Sequence, residues 1–432
     1  MRQATLKTCG AIIVALSCTF LSARTFADEF KHPDTLKERS HLFGDWGGAR
    51  TFLAQRGIIV DLSTTQSYQG ITSGGRADVR GDWEYGGVGD AVVTIIGDRF
   101  GWKGFAAIFH AETRFGTDIN SNVGLAPPNL RMLFPFADPP VVALTGWQLM
   151  QQIGGGWVVS GGQFNVGDLL DQIYHTGNGK DKFMNASFVL PLNFGVPLGV
   201  YSVPGAGLFK TRGREIEGAL AVIDTKDYTN KFAFEDLFDR GATILGLWKF
   251  FYNIHGLPGY SSVIVAYDTR KFNSIDPSSW IIIPGQGVVR PEVRGSWAVS
   301  YVVDQKLWMD PDNPKRNVGM FGFIGIADDN PNVIQTACSI TLEVNGLVPG
   351  RERDSFGVGY FYSGLSSNFK DLLGALPGPL SLSLRDSQGF EAYYKFGVTP
   401  WLDITADLQV VQPNLVGVDT AVIAGLRSKV TF

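Results

Sequence analysis

From about residue 57 onward the chain alternates apolar and polar side chains with a period of two. In 420–432, Val422, Ala424, Leu426, Val430 and Phe432 share one face, and Arg427, Lys429 and Thr431 the other. In 401–412, Leu402, Ile404, Leu408 and Val410 oppose Asp403, Thr405, Asp407 and Gln409. Phe390, Tyr394, Phe396 and Val398 oppose Glu391, Tyr393, Lys395 and Thr399. Ile340, Leu342 and Val344 oppose Ser339, Thr341, Glu343 and Asn345, and Phe105, Ala107, Phe109 and Phe115 oppose His110, Glu112 and Arg114. Strands have this period because successive side chains leave opposite faces of the pleat. The pattern predicts about sixteen of them: 57–69, 87–99, 102–115, 146–153, 157–165, 198–210, 215–224, 241–253, 259–271, 291–304, 316–328, 335–346, 355–364, 388–399, 401–412 and 420–432.

The connections alternate in length. Short turns fall at Phe100-Gly101, Gly154-Gly155-Gly156, Leu257-Pro258 and Thr399-Pro400. Long segments fall at 70–86, 116–145, 166–197, 225–240, 272–290 and 365–387. One turn, 305–315, is longer than its place in this alternation predicts. Ahead of the strands, Trp46 to Gly57 can hold a short helix, begun after Asp45 and stopped by Gly57.

A sheet with one apolar and one polar face either packs against a second layer or faces lipid on one side and water on the other. Strands of 10–13 residues reach across a bilayer at a tilt. The alternating connection lengths and the last strand, closed by Phe432 in the manner common among exported barrels, also favour the lipid-facing case. No segment after the first stretch runs eighteen residues without a polar interruption, so a spanning chain must span with strands. The expected fold is therefore all-β, a transmembrane antiparallel β-barrel of about sixteen strands (residues 57–432), preceded by a periplasmic segment with a short helix (28–56).

The N-terminus changes the picture further. Arg2 and Lys7 precede an apolar stretch at 9–22, and Thr25 and Ala27 precede Asp28-Glu29. This reads as a signal peptide, 1–27, cut after Ala27. The mature chain then carries a net charge of about −7, three below the −4 of the full chain, which argues against a nucleic-acid partner. Cys9 and Cys18 leave with the signal, so Cys338 has no partner for an internal disulfide. The 53 Gly, 30 Phe, 13 Tyr and 10 Trp suit many tilted strands with aromatic girdles.

Two blocks carry a resemblance. One is Leu42-Phe-Gly-Asp-Trp-Gly-Gly-Ala-Arg50 with LAQRGIIVD at 53–61. The other is Glu391 to Gln409 (EAYYKFGVTPWLDITADLQ) with AVIAGLRSKVTF at 421–432. Val159-Ser-Gly-Gly-Gln-Phe164 and Phe356-Gly-Val-Gly-Tyr360 fit more loosely. The chain resembles the carbohydrate-selective porin family of the OprB type, end to end over the mature sequence. The resemblance implies a Gram-negative outer-membrane porin, a sixteen-stranded barrel, usually a trimer in related porins, that passes sugars by diffusion amid lipid and lipopolysaccharide.

A sugar pore needs charged and amide groups to replace water around hydroxyls. The polar face supplies Glu112 and Arg114, Asp268 and Arg270, Arg294, Glu215 and Glu217, and Lys395, Arg427 and Lys429. Glu112/Arg114 and Asp268/Arg270 place opposite charges two apart on one face. The plain alternative for each is a solvated wall pair. The loop with Arg76, Arg80, Asp82, Trp83 and Glu84 reads as surface, and 166–197 is long enough to fold into the lumen. An enzyme inside the barrel is the alternative class, as is a barrel-anchored binding protein or a channel without sugar preference. Among His32, His41, His110, His175 and His255, His110 alone has lumen parity beside a carboxylate. No G-x-S-x-G, H-E-x-x-H or Cys/His metal spacing occurs, so no catalytic residue or cofactor is expected. Asp328-Asp329-Asn330 and Asp310-Pro-Asp312-Asn313 have oxygen ligands suited to calcium but read as turns.

Overall fold

The computed structural model describes residues 35–135, 142–173, 176–213, 215–229, 231, 236–283 and 287–432. The expected signal peptide and the start of the periplasmic segment lie outside these residues. Sixteen strands close one antiparallel barrel in sequential order. They are β1 (Ile58–Gly75), β2 (Trp83–Ile96), β3 (Phe105–Gly116), β4 (Val142–Gly154), β5 (Trp157–Asn165), β6 (Ser202–Arg212), β7 (Glu215–Asp224) and β8 (Ala242–Ile254). The second half is β9 (Leu257–Asn273), β10 (Glu292–Met309), β11 (Asn317–Ala327), β12 (Ile334–Asn345), β13 (Ser355–Leu365), β14 (Ser387–Thr399), β15 (Leu402–Gln412) and β16 (Asp419–Thr431). Closure pairs Ser63 of β1 with Thr431 of β16 and leaves the barrel no open edge.

The alternation in the sequence becomes two faces of the wall. Along β15, Ile404, Leu408 and Val410 are exposed on the outside, while Thr405, Asp407 and Gln409 are buried inside. The same parity exposes Trp248, Phe250, Val263, Val265, Ile340 and Phe390. Such an apolar outer band is what a lipid environment demands of a spanning barrel.

The strand at 291–304 runs further than its pattern predicts, to Met309. The turn that looked too long is therefore only 310–316, held by the Asp310–Arg316 ion pair at 2.6 Å and by Asp310 N–H donating to the Arg316 carbonyl. The connections at the end of the barrel that carries β1's start and β16's finish are thus all short, while the opposite end holds the long segments together with the brief turns 328–333 and 413–418. A two-stranded ribbon, Ile281–Ile283 with Gly287–Val289, rises from the segment between β9 and β10. Its β-branched residues favour the extended state.

Three contacts strap the N-terminal segment onto the β1–β16 seam, one of them the Leu42 N–H donating to the Thr431 carbonyl at 2.8 Å. Helix α1 (Ala49–Gln55) begins where Asp45 accepts from the Thr51 N–H at 2.7 Å and its hydroxyl at 2.8 Å. Arg50 donates to the Phe432 carbonyl at 2.6 Å, and the Phe43 and Phe432 rings stack with centroids 5.3 Å apart. The helix ends at Gly57, whose φ of +81° and 2.8 Å clearance to the Ile96 carbonyl suit no residue with a Cβ.

The segment between β3 and β4 and the one between β5 and β6 both fold inward. The latter carries α2 (Val166–Ile173) and the short α3 (Ala186–Val189). Another short helix, α4 (Ser367–Gly374), lies between β13 and β14. Two apolar clusters form inside: Phe164, Leu170, Phe194, Phe209 and Leu247 on one side, Phe183, Phe188, Phe361 and Tyr393 on the other.

Candidate functional site

The inward segments are held across the whole barrel. Asn129 donates to Ser67 and Gln69 of β1 at 2.9 and 2.7 Å. Glu391 of β14 accepts the Met184 and Asn185 N–H groups at 2.5 and 2.9 Å. Arg427 of β16, fully buried, donates to the Gly179 and Lys182 carbonyls at 2.9 and 2.8 Å. On the opposite wall Asn193 donates to the Ile326 carbonyl at 3.0 Å, and Arg270 to the Val196 carbonyl at 3.0 Å. Backbone groups that leave regular structure inside a barrel need such partners.

Where the two segments meet the β2–β4 wall, charged groups converge. The register sets Asp90 of β2 directly opposite Glu112 of β3. Two carboxylates side by side in a buried position require cations. The guanidinium of Arg131 bridges them, at 2.5 Å from Asp90 and in direct contact with Glu112. Lys180 reaches Asp90 at 3.1 Å. The rest of Glu112 is filled by Thr145 at 2.6 Å, Asn165 at 2.7 Å and the Tyr201 hydroxyl at 2.8 and 2.9 Å. His110 places Nδ1 2.8 Å from Asp168 and Nε2 3.2 Å from Asp90. A ring that donates from both nitrogens carries a positive charge. Three carboxylates thus face two permanent cations and an imidazole, so fixed charges of both signs stand within a few ångströms of one another.

Arg131, which sits on an inward segment and not on a strand, is pushed down by burial but lifted further by Asp90 and Glu112, so it stays charged. Asp90, His110 and Glu112 lie close enough to hold a metal ion. The position a cation would take between Asp90 and Glu112 is already filled by Arg131, so the trio is better described as half of a salt-bridge network. Beside the network lies a cavity of about 130 Å³, lined by the polar Glu112, Arg131, Asn165, Asp168 and Lys180 and by the apolar Leu170, Val189, Leu190 and Phe194. Tyr201 and Phe134 stack at its side, with centroids 4.4 Å apart. Buried Arg131 Nε and Asp90 Oδ2 find no hydrogen-bond partner among the described residues.

The candidates from the sequence scatter over the barrel. Glu112 is at the centre of the network, 1% exposed. Arg114 is one step along β3 and donates to the Met132 carbonyl at 2.8 Å, supporting the segment that carries Arg131. Asp268 and Arg270 pair at 2.5 Å and brace the far anchor of the second segment. Arg294 is exposed beyond the irregularity between Arg294 and Ser296. Glu215 and Glu217 lie next to the short turn between β6 and β7, near Lys249 at 3.5 Å and Arg212 at 3.8 Å. Arg427 anchors the inward segment, while Lys429 stands 4.0 Å from Asp181. Arg76 pairs with Asp78 at the surface at 2.5 Å. Asp310 serves its turn, and Asp328 accepts from Ser296 at 3.0 Å and from Asn332.

Asp90, Arg131, Asn165 and Tyr201 were not singled out from the sequence, and Lys180 stood out there only as one of the charges, with Asp168, Asp171 and Lys182, on the segment 166–197. Of the former, Arg131 alone left a signal there: it is a lone cation in the apolar run Leu130-Arg-Met-Leu133.

Among curated proteins the chain is similar to Porin B of Pseudomonas aeruginosa, 21% identical over 473 residues that cover 99% of this chain and 98% of that one. Among solved structures it is similar to the high-pH structure of Pseudomonas putida OprB, with a TM-score of 0.77 at 19% identity, over 92% of this chain and 100% of the other. The low-pH structure of the same protein gives a TM-score of 0.53 at 17% identity, over 92% and 99%. The family model described as carbohydrate-selective porin, OprB family, matches residues 97–432, and with a closed sixteen-stranded barrel behind that match the chain belongs to the OprB family of outer-membrane porins.

Proposed function

We propose that sugars diffuse passively past the Asp90–Glu112–Arg131–Lys180 network, which acts as the selective constriction. The observation that carries this reading is a cavity whose lining joins polar and charged side chains to an apolar and aromatic wall. Glu112, Arg131, Asn165 and Lys180 supply donors and acceptors for hydroxyl groups there, and Phe134, Tyr201 and Phe194 supply the apolar and aromatic wall. A neutral polyol can exchange its hydration for these groups, whereas an ion meets a fixed charge of its own sign within a few ångströms.

Proteoliposomes holding the purified protein should swell in glucose faster than in sucrose or in a charged solute of similar size. Equal rates for all three would remove the sugar preference and leave a general channel. We also propose that residues 1–27 are the export signal, so the mature protein should begin at Asp28 by intact mass. The trimer rests on the family resemblance. Light scattering in detergent should give three copies per particle, and one copy would overturn it.

A further inference from the structure

A second cavity lies between α2 and the wall of β5–β9. It measures about 80 Å³, and every residue that lines it is apolar. Its wall is the inner face of the barrel. Phe209, Ile216, Ile223, Leu247 and Ile264 are buried there, while Leu220, Val222, Ile244 and Trp248 are exposed on the other face of the same strands. The inner face of a water-filled barrel is ordinarily polar. Five strands that turn apolar residues inward at one level therefore make a local exception. Packing against α2 accounts for part of it, yet the packing leaves a void, and an apolar void stays dry and accepts an apolar guest.

The void is not isolated. Val166, Leu170, Pro191, Phe194 and Leu198 line both it and the cavity beside Glu112 and Arg131. The two cavities are therefore neighbours across these side chains, polar groups contributing to the lining of the first and apolar residues alone lining the second.

We propose that the two cavities form one bipartite site for alkyl glycosides: the sugar ring at Glu112, Arg131 and Asn165, and a short alkyl tail against Phe209, Leu247 and Ile264. The proposal rests on the sugar reading for its polar half only. The apolar half stands on the second cavity.

The test is single-channel block by methyl, ethyl, propyl and butyl β-glucosides, with free glucose alongside, in the mature protein. Each methylene buried should tighten block about fourfold until the void is full. Ala219→Phe, which fills the void from the β7 wall, should flatten the series, and Leu247→Ala, which enlarges it, should extend the series by longer chains. Glucose block without any dependence on chain length in the wild type would overturn the apolar site. Chain-length dependence without glucose block would sustain the apolar site and remove the sugar reading. Absence of both would overturn both. A series left unchanged by Ala219→Phe would place the tail elsewhere and overturn the assignment.

Discussion

Replacing Arg131 with alanine is the sharpest perturbation of the constriction. The substitution removes the contacts to Asp90 at 2.5 Å and to Glu112, and the hydrogen bond to the Tyr201 hydroxyl at 3.1 Å. Asp90 keeps Lys180 at 3.1 Å, and Glu112 keeps Thr145, Asn165 and Tyr201. Breaking a buried pair by removing one partner costs about 3–5 kcal/mol. That cost falls on the inward segment between β3 and β4, because the strand ladders do not use Arg131. The barrel should therefore still fold. The electrical consequence is larger. A charge passing about 6 Å from the lost cation feels a change of about 0.7 kcal/mol at the dielectric of water and about 3 kcal/mol at an effective value of 20. Cation occupancy should therefore rise at least about threefold. The reversal potential in a potassium chloride gradient should move toward that of a cation-selective pore. Arg131→Lys keeps the charge and loses the fork that bridges two carboxylates. It should hold the reversal potential near wild type while weakening glucose block. Equal reversal potentials in the wild type and the alanine variant would refute the placement of Arg131 at the constriction.

Other expectations follow from the same geometry. Tyr201→Phe deletes a hydroxyl bonded to a buried carboxylate, and denaturant unfolding in vesicles should show a loss of about 1.5–3 kcal/mol; an unchanged midpoint would contradict the bonds drawn to Glu112. Arg427→Met frees the Gly179 and Lys182 carbonyls, so open-channel noise and protease cleavage within 176–185 should both increase, and a quiet, resistant variant would argue against the anchor. Leu408, 50% exposed at the middle of β15, faces lipid; Leu408→Arg should cost about 2–4 kcal/mol at the bilayer midplane, and a fully folded band on unheated gels at every lipid ratio would count against the membrane placement. Burial pushes Asp181 upward, but Lys429, Lys395, Lys182 and Arg427 outweigh it and hold it below the usual carboxylate range. A depressed carboxylate stabilises fully above its unfolded value, about pH 4, and the contribution is lost only as pH falls further. Asp181 lies on the segment that Arg427 anchors, so channel noise should be constant from pH 7 to about pH 4, and a rise already at pH 6 would contradict a carboxylate held low by these four cations.

The wall was legible in the sequence because lipid outside and water inside impose opposite demands on alternate residues. Segments 157–165 and 215–224 match β5 and β7 at both ends. The misjudged turn at 305–315 has a physical cause: Gln305 to Met309 extend the ladder with Asn317–Met320 even where their alternation weakens. The constriction was far less legible. Glu112 could be chosen from parity, but its partner Asp90 is set by strand register, and Arg131 and Tyr201 arrive from segments 19 and 89 residues away along the chain. Such contacts follow from how the inward segments pack, and period-two patterning carries no information about them. The same holds for Asp268 and Arg270. Their spacing put them on one face, and they do pair, yet the carbonyl of Val196 that the arginine holds lies 74 residues distant.

The central claim is that sugars bind within a conducting pore. Single-channel conductance in a planar bilayer, with glucose titrated from either side, tests it most directly. Conductance should fall saturably with glucose in the wild type and lose that dependence in Glu112→Gln. A folded barrel whose conductance is absent, or present and indifferent to glucose, would contradict the account.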